Sequence, residues 1–331
     1  MSHPRSRARV VRATTSERKH VNADLRTRLG PLKLPNPVVT AAGCAGSGRE
    51  LAQFFDVAEI GAVTTKSLML EPRAGRPAPR MAETPSGMLS TTGLQGPGVD
   101  VFLERDLPWL LSRGGRAIVS IAGSGVGEFG ELARRVSAAD GVDAIEVNLS
   151  CPDPTDPAGR HFADDPAQAA AVVQTVRSHA RSDLPVLAKI AVDVPDVLKL
   201  AEACVDARAD GLTMINTLRG MSVDTRTLRP AVTGGMGGLS GPAIRPLAVG
   251  CVYRVHEAFP DVPIVGVGGV RTGSDVLEFM AAGASAVAVG TVNFADPSAC
   301  TRILREFTEA LEARGVAKAS ALVGAAHRSG L

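Results

Sequence analysis

The chain has 331 residues, 45% of them hydrophobic and 21% charged, and carries a formal net charge of +2. That balance suits a globular chain with a sizeable core and excludes collagen or disorder as a description of the whole. No run approaches the roughly 18 uninterrupted apolar residues of a membrane span, and the N-terminus lacks the apolar stretch of a signal peptide, so a soluble, cytosolic body is expected.

The start of the chain holds Arg5, Arg7, Arg9, Arg12, Arg18 and Lys19 against Glu17, a charge of +5 that leaves about −3 for the rest. Residues 1–24 read as a basic, disordered arm, with an organelle address as the alternative because the segment is Arg-rich and holds Ser and Thr. Residues 25–331 read as one domain. It has no basic footprint for nucleic acid, and one Trp and one Tyr do not make the aromatic platform of a single-strand binder. Residues 25–35 alternate polar and apolar around Gly30-Pro31 and predict a hairpin.

From Pro37 onward, apolar or β-branched runs alternate with segments of helical length. Strands are expected at 38–42, 62–66, 117–121, 144–149, 186–190, 211–216, 263–267 and 286–290, nearly continuous in apolar character as strands covered on both faces are. Helices are expected at 49–58, 101–113, 127–138, 166–181, 195–208, 242–259, 274–282 and 297–314. Four of these open on proline, whose missing N–H would find no partner in a first turn. Eight strand–helix pairs without a break in composition predict an α/β fold, a (β/α)8 barrel whose bottom the hairpin closes. The connections 67–100 and 217–241 predict long ordered loops at the C-terminal face, where barrel enzymes hold their sites.

Gly268-Gly269 after the seventh strand and Gly290-Thr291 after the eighth offer backbone N–H groups to a close ligand, the usual place for a phosphate in a barrel. Tight turns are the plainer explanation of either pair. Residues 234–241, rich in glycine, predict a third flexible backbone surface. Lys66 and Lys189 sit on otherwise apolar strands, where an unpaired buried charge is costly, so each predicts either a bound anion or a structural ion pair. Asn148 and Asn216 end strands in the same manner, with carboxamides suited to a planar polar ligand. Cys151 follows directly, and a thiol at a strand mouth can act as nucleophile or general base once deprotonated, core packing being the alternative. The cysteines Cys44, Cys151, Cys204, Cys251 and Cys300 form no C-x-x-C pair, which predicts neither a disulfide framework nor a metal or cluster site. Cys204, Cys251 and Cys300 read as packing residues, and Cys44 lies on a loop near the site.

Several motifs together carry a resemblance: Glu71-Pro72-Arg73, Pro79-Arg80-Met81-Ala82-Glu83-Thr84-Pro85, Asn148-Leu149-Ser150-Cys151-Pro152, Met214-Ile215-Asn216-Thr217-Leu218, Gly237-Gly238-Leu239-Ser240-Gly241-Pro242 and Ala286-Val287-Ala288-Val289-Gly290-Thr291. Over about residues 32–297 the chain resembles the dihydroorotate dehydrogenase family, in its class 1B catalytic-subunit type. The resemblance implies an FMN-binding barrel with the FMN phosphate on Gly268, Gly269, Gly290 and Thr291. It also implies Lys189 beside the flavin N1/O2 edge, where a cation stabilises the reduced anionic flavin. Ala42, Lys66, Ser67, Ser120, Asn148, Ile215 and Gly241 complete the implied flavin site. Lys66, Asn148, Asn216 and Thr217 are implied to hold the substrate, together with Ser90, Thr91, Thr92, Gly93, Leu94 and Asp153. Cys151 is implied as the base that takes a proton from the carbon beside a carbonyl while hydride leaves the adjacent carbon for flavin N5. A homodimer core and a separate subunit with FAD and [2Fe–2S], passing electrons to NAD⁺, are the implied partners; direct use of a soluble acceptor is the alternative.

The chain departs from the family pattern at identifiable places. Ser90-Thr91-Thr92-Gly93-Leu94-Gln95-Gly96 stands where Asn-x-x-Gly-Leu-x-Asn is usual, and Asp153 where the motif after Cys-Pro ends in Asn. Ala42 replaces a usual Ser, and Ser120 a usual Asn. A second carboxylate near the orotate carboxylate repels it, by about 4 kcal/mol at about 4 Å and an effective dielectric of about 20. Oxidation of dihydroorotate to orotate in pyrimidine biosynthesis is therefore weighed against another dihydropyrimidine or cyclic amide as substrate, and against a flavin-binding module without catalysis.

Overall fold

A computed structural model describes residues 23–150 and 161–328. Parallel strands form its centre: Val38–Thr40, Val63–Thr64, Ala117–Ile121, Val142–Asn148, Val186–Ile190, Gly211–Met214, Ile264–Val267 and Ala286–Val289. They pair in chain order, the last returns to the first through Val289↔Thr40, and a bridge between Val39 and Ala62 joins the first to the second. The expected α/β barrel is the fold, with strand ends shifted slightly from those read in the sequence.

Alternation along a strand sends every second side chain into the barrel. Val39, Ala62, Ile118, Ala144, Leu187, Val265 and Ala286 form an apolar interior, and Leu29 and Leu34 of the hairpin Thr27–Leu29/Leu32–Leu34 plug it from below. The Thr27 hydroxyl donates to the Ser285 carbonyl at 2.6 Å, just before the eighth strand, which ties the hairpin to the N-terminal strand ends. Two residues further along three neighbouring strands, the inward positions turn polar: Ser120 above Ile118, Glu146 above Ala144 and Lys189 above Leu187, while Ala41, Val267 and Ala288 stay apolar. The barrel thus has an apolar floor and a ceiling that is polar on the side of the third to fifth strands.

A second core lies between strands and helices, into which Val126–Ala138 buries Phe129, Leu132, Ala133 and Val136, the spacing of one helical face. Helix starts are capped as their residue types allow. Asp165 accepts the Ala167 N–H ahead of Pro166–His179, Asp196 accepts the Leu198 N–H ahead of Val197–Asp206, and Thr272 and Asp275 cap each other at Gly273–Ala282.

Some expected elements differ. The helix at 49–58 reduces to a 3-10 turn at Leu51–Gln53, because the Asp56 carboxylate accepts the Ala58 N–H at 3.0 Å and offers the backbone an alternative to the helical ladder. The next helix has a π-helical stretch, Phe102–Asp106, between Val99–Val101 and Leu107–Ser112. Of the four prolines, only Pro166 heads an α-helix. Pro195 stands before the Asp196 cap, Pro242 opens a 3-10 turn ahead of Arg245–Ala258, and Pro297 precedes Ala299–Ala313.

The two long connections do not stay separate loops. Met81–Thr84 pairs with Gly87–Ser90, Leu218–Met221 pairs with Met236–Ser240, and the register Gly238↔Ser90 fuses both hairpins into one antiparallel sheet over the barrel mouth. Residues 234–241, expected as a flexible surface, supply one of its inner strands. Glycine is required there for closeness: a Cβ on Gly238 would stand 2.3 Å from Thr217 Oγ1, and one on Gly237 would stand 3.0 Å from the Ser90 carbonyl. At the other end of the barrel, Asp24 N–H donates to the Ala317 carbonyl and Ala319 N–H to the Asp24 carbonyl, joining the two ends of the described chain.

Candidate active site

Between the strand C-termini and the sheet lies a cleft of ≈ 870 Å³, within the roughly 300–1,000 Å³ of ordinary ligand pockets. Ala42, Lys66, Ser67, Asn148, Lys189 and Thr291 line it. So do Ser90, Thr91, Thr92, Gly93, Leu94, Asn216 and Thr217, the residues expected at the substrate.

A polar chain crosses its floor. Asn216 Nδ2 donates to Asn148 Oδ1 at 3.0 Å, Asn148 Nδ2 donates to Ser67 Oγ at 3.2 Å, and Ser67 Oγ lies 2.9 Å from Ser120 Oγ. Four strands are thereby held in one hydrogen-bonded line at their C-terminal ends, although Ser120 itself is fully buried below the surface of the cleft. The Asn216 carboxamide is fixed further by accepting the Thr217 N–H at 2.8 Å. On the wall, Lys66 Nζ donates to Thr92 Oγ1 at 3.1 Å, tying the second strand to the sheet above.

The remaining expected residues lie behind the lining. Ile215 is buried, and a Cβ on Gly268 would stand 3.5 Å from it. Gly269 has φ +75, and a Cβ there would come within 2.8 Å of the Gly241 carbonyl; Gly241 has φ +95. A Cβ on Gly290 would meet Ala41 Cβ at 3.2 Å and Cys44 Sγ at 3.5 Å. The turns at Gly269 and Gly241 abut one another as bare backbone, which side chains would fill. Beside them the Thr291 hydroxyl donates to Ser240 Oγ at 2.8 Å. Cys151 and Asp153 lie outside the described residues.

In and beneath the cleft stand groups to which the sequence assigned no role. Glu146, buried at the inward position below Asn148, stands 3.5 Å from Lys189 Nζ. Period-two counting back from Asn148 would have found it. Cys44 lines the cleft between two ammonium groups; burial pushes its thiol up, while Lys189 and Lys66 pull it back. Burial pushes the Lys66 ammonium down, Cys44 opposing that and Lys189 adding to it. At the rim, Arg219 donates to Asp193 Oδ2 at 2.8 Å and to both Asp164 carboxylate oxygens, joining the sheet to the loops after the fourth and fifth strands. Nothing in their sequence spacing announces that fork.

The family model for dihydroorotate dehydrogenase matches residues 24–311, nearly the whole described chain. The chain belongs to the dihydroorotate dehydrogenase family. It is 45% identical over 306 residues to the protein of Geobacillus kaustophilus named dihydroorotate dehydrogenase B (NAD(+)), catalytic subunit, covering 92% of this chain and 96% of that one. The protein of the same name from Bacillus caldolyticus is likewise 45% identical over 306 residues, and that from Geobacter sp. (strain M21) is 44% identical over 302 residues, or 91% of this chain and 98% of that one. As a dihydroorotate dehydrogenase family member the chain is an oxidoreductase acting on CH–CH groups, a reaction for which the family uses a flavin. The donor set fits that cofactor class: two ammonium groups, paired carboxamides, hydroxyls of Ser67 and Thr291, and a glycine cradle suit a planar, hydrogen-bonding, anionic ligand. Among the described residues no helix is long and apolar enough to cross a membrane.

Proposed function

We propose that this chain oxidises dihydroorotate to orotate in pyrimidine biosynthesis, with FMN as its cofactor and Cys151 as the base. The observation that carries the reading is the convergence of Lys66, Lys189, Asn148, Asn216 and Ser67 on one cleft, in a chain matched over nearly its full length by dihydroorotate dehydrogenases. FMN, when bound, supplies the two-electron acceptor for the substrate's CH–CH bond. Gly268, Gly269, Gly290 and Thr291 would hold its phosphate, Lys189 its ring edge, and Ala42, Lys66, Ser67, Ser120, Asn148, Ile215 and Gly241 would surround the ring.

The protein's own part is placement and proton removal. Asn148 and Asn216 hold the substrate's amide edge by donating and accepting, since each carboxamide does both. Ser90, Thr91, Thr92, Gly93 and Leu94 close over it with Thr217, and Asp153 borders it. Lys66 places a positive charge beside an anionic substrate inside a cleft where solvent screens little. Cys151, as thiolate, takes the proton from the carbon next to the carbonyl, and the double bond forms as the adjacent C–H pair of electrons departs. We assign the second electron-transfer stage to a separate FAD and [2Fe–2S] subunit that reduces NAD⁺, supported by the relatives' naming as catalytic subunits with NAD(+). A homodimer core and a cytoplasmic location belong to the same proposal; the four described cysteines are free thiols, as a reducing compartment keeps them.

The test is anaerobic titration of the yellow, FMN-loaded chain with dihydroorotate while following flavin absorbance. Bleaching is expected, and Cys151→Ala should lose most of it, by about a hundredfold or more in rate, while keeping its FMN. Bleaching by dihydrouracil with none by dihydroorotate would instead favour the other dihydropyrimidine reading that the lost carboxamides at Ser90 and Gly96 suggest. Purification from native cells should bring along an iron-containing flavoprotein, and NAD⁺ reduction should require it; rapid fumarate-dependent turnover by the lone chain would count against that partner.

A further inference from the structure

Glu146 and Lys189 are two buried charges facing each other inside the barrel, their side chains 3% and 7% exposed and 3.5 Å apart. Among the described residues neither has another ion-pair partner. Burying a pair of ions costs more desolvation than such a contact usually returns, so stability alone is a poor reason for it. The surroundings give a better one. Lys189 lines the cleft, whereas Glu146 lies one layer beneath it, in register between Ser120 on one neighbouring strand and Leu187 on the other. An ammonium has three donors and Glu146 takes one, which leaves donors for a ligand above. Thr213, in register with Lys189 on the next strand, has a buried hydroxyl without a hydrogen-bond partner, so that oxygen does not share the lysine with Glu146.

We propose that Glu146 is a positioning residue for the redox reaction: by holding and partly offsetting the Lys189 ammonium, it keeps the reduction potential of the bound cofactor below the value an unopposed lysine would impose. This rests on the reading that FMN occupies the cleft with Lys189 at its ring edge. The reduced cofactor carries the extra negative charge, so a lysine whose charge is shared with a carboxylate favours that form less. Removing the carboxylate lets the lysine act alone.

The experiment is potentiometric titration of the FMN-loaded protein and its variants, a readout independent of turnover. Glu146→Gln should bind reduced over oxidised FMN about tenfold more favourably than wild type does, a rise of about 30 mV for a two-electron couple. Lys189→Met should lower the potential, and the double variant should match Lys189→Met, because Glu146 acts through the lysine. An unchanged or lowered potential in Glu146→Gln overturns the proposal, as does a rise of the same size when Lys189 is already Met. Should Glu146→Gln fail to hold the cofactor, Glu146→Asp, which withdraws the carboxylate by one methylene, decides by the same sign. Failure of the underlying reading looks different: the wild-type chain takes up no FMN, or Lys189→Met leaves the potential where it was.

Discussion

Asn216 ends one barrel strand and Asn148 another two places around the ring, yet a single hydrogen bond of 3.0 Å makes them one surface, continued to Ser67 and Ser120. Truncating Asn216 to Ala would remove the substrate contact proposed for it and one of two donors to the Asn148 oxygen, the other being the Ser150 N–H, at about 0.5–1.5 kcal/mol for each lost hydrogen bond. Steady-state assays with dihydroorotate should accordingly show kcat/KM down by about tenfold or more, with the FMN content of the purified protein unchanged. At this scale much was legible: a lysine or carboxamide at the end of an apolar strand has to meet a ligand or a partner, and Lys66, Lys189, Asn148 and Asn216 all line the cleft. Glu146 was passed over because acidic residues inside strands are common on solvent faces, although its place two residues before Asn148 puts both on one face of the strand.

At the scale of elements, the hairpin shows how little sequence a plug needs. Leu29 and Leu34 are almost wholly buried on the barrel floor, and the alternation around Gly30 was enough to predict the hairpin that carries them. Leu29→Ala should lower the unfolding free energy by about 2–5 kcal/mol, measured by urea denaturation, because the floor cannot collapse onto the missing methyl groups. The barrel strands were equally readable, since strands covered on both faces carry unbroken apolar runs. The helix expected at 49–58 failed for a local reason, the Asp56 side chain bonding its own backbone. The sheet over the mouth was hidden for a non-local one. Its hairpins come from connections separated by more than a hundred residues, and the register Gly238↔Ser90 has no trace in either segment.

For the molecule as a whole, burial of thiols couples folding to pH. Cys204 and Cys300, both fully buried, have their thiols pushed from the ordinary 9.0 up to about 12 by desolvation. The unfolded chain gives up these protons near 9 while the folded chain keeps them, so the native state binds more protons above that point and stability falls as pH rises toward about 12. Urea midpoints should be level from about pH 7 to about pH 8 and lower at about pH 10, and Cys204→Ala with Cys300→Ala should flatten that decline. A decline of the same steepness in the double variant would assign the effect to other groups.

Composition, strand periodicity and the motifs around Asn148, Asn216 and Gly290 determined by themselves the barrel, its family and the lysines and carboxamides of the cleft, because each is written in residues close along the chain whose chemistry allows few environments. The tertiary structure alone decided which distant segments share a hydrogen bond. It put Glu146 beneath Lys189, let Arg219 bridge Asp164 and Asp193, and fused two loops into one sheet. Those contacts depend on the closure of the ring, and closure is a property of all the strands together.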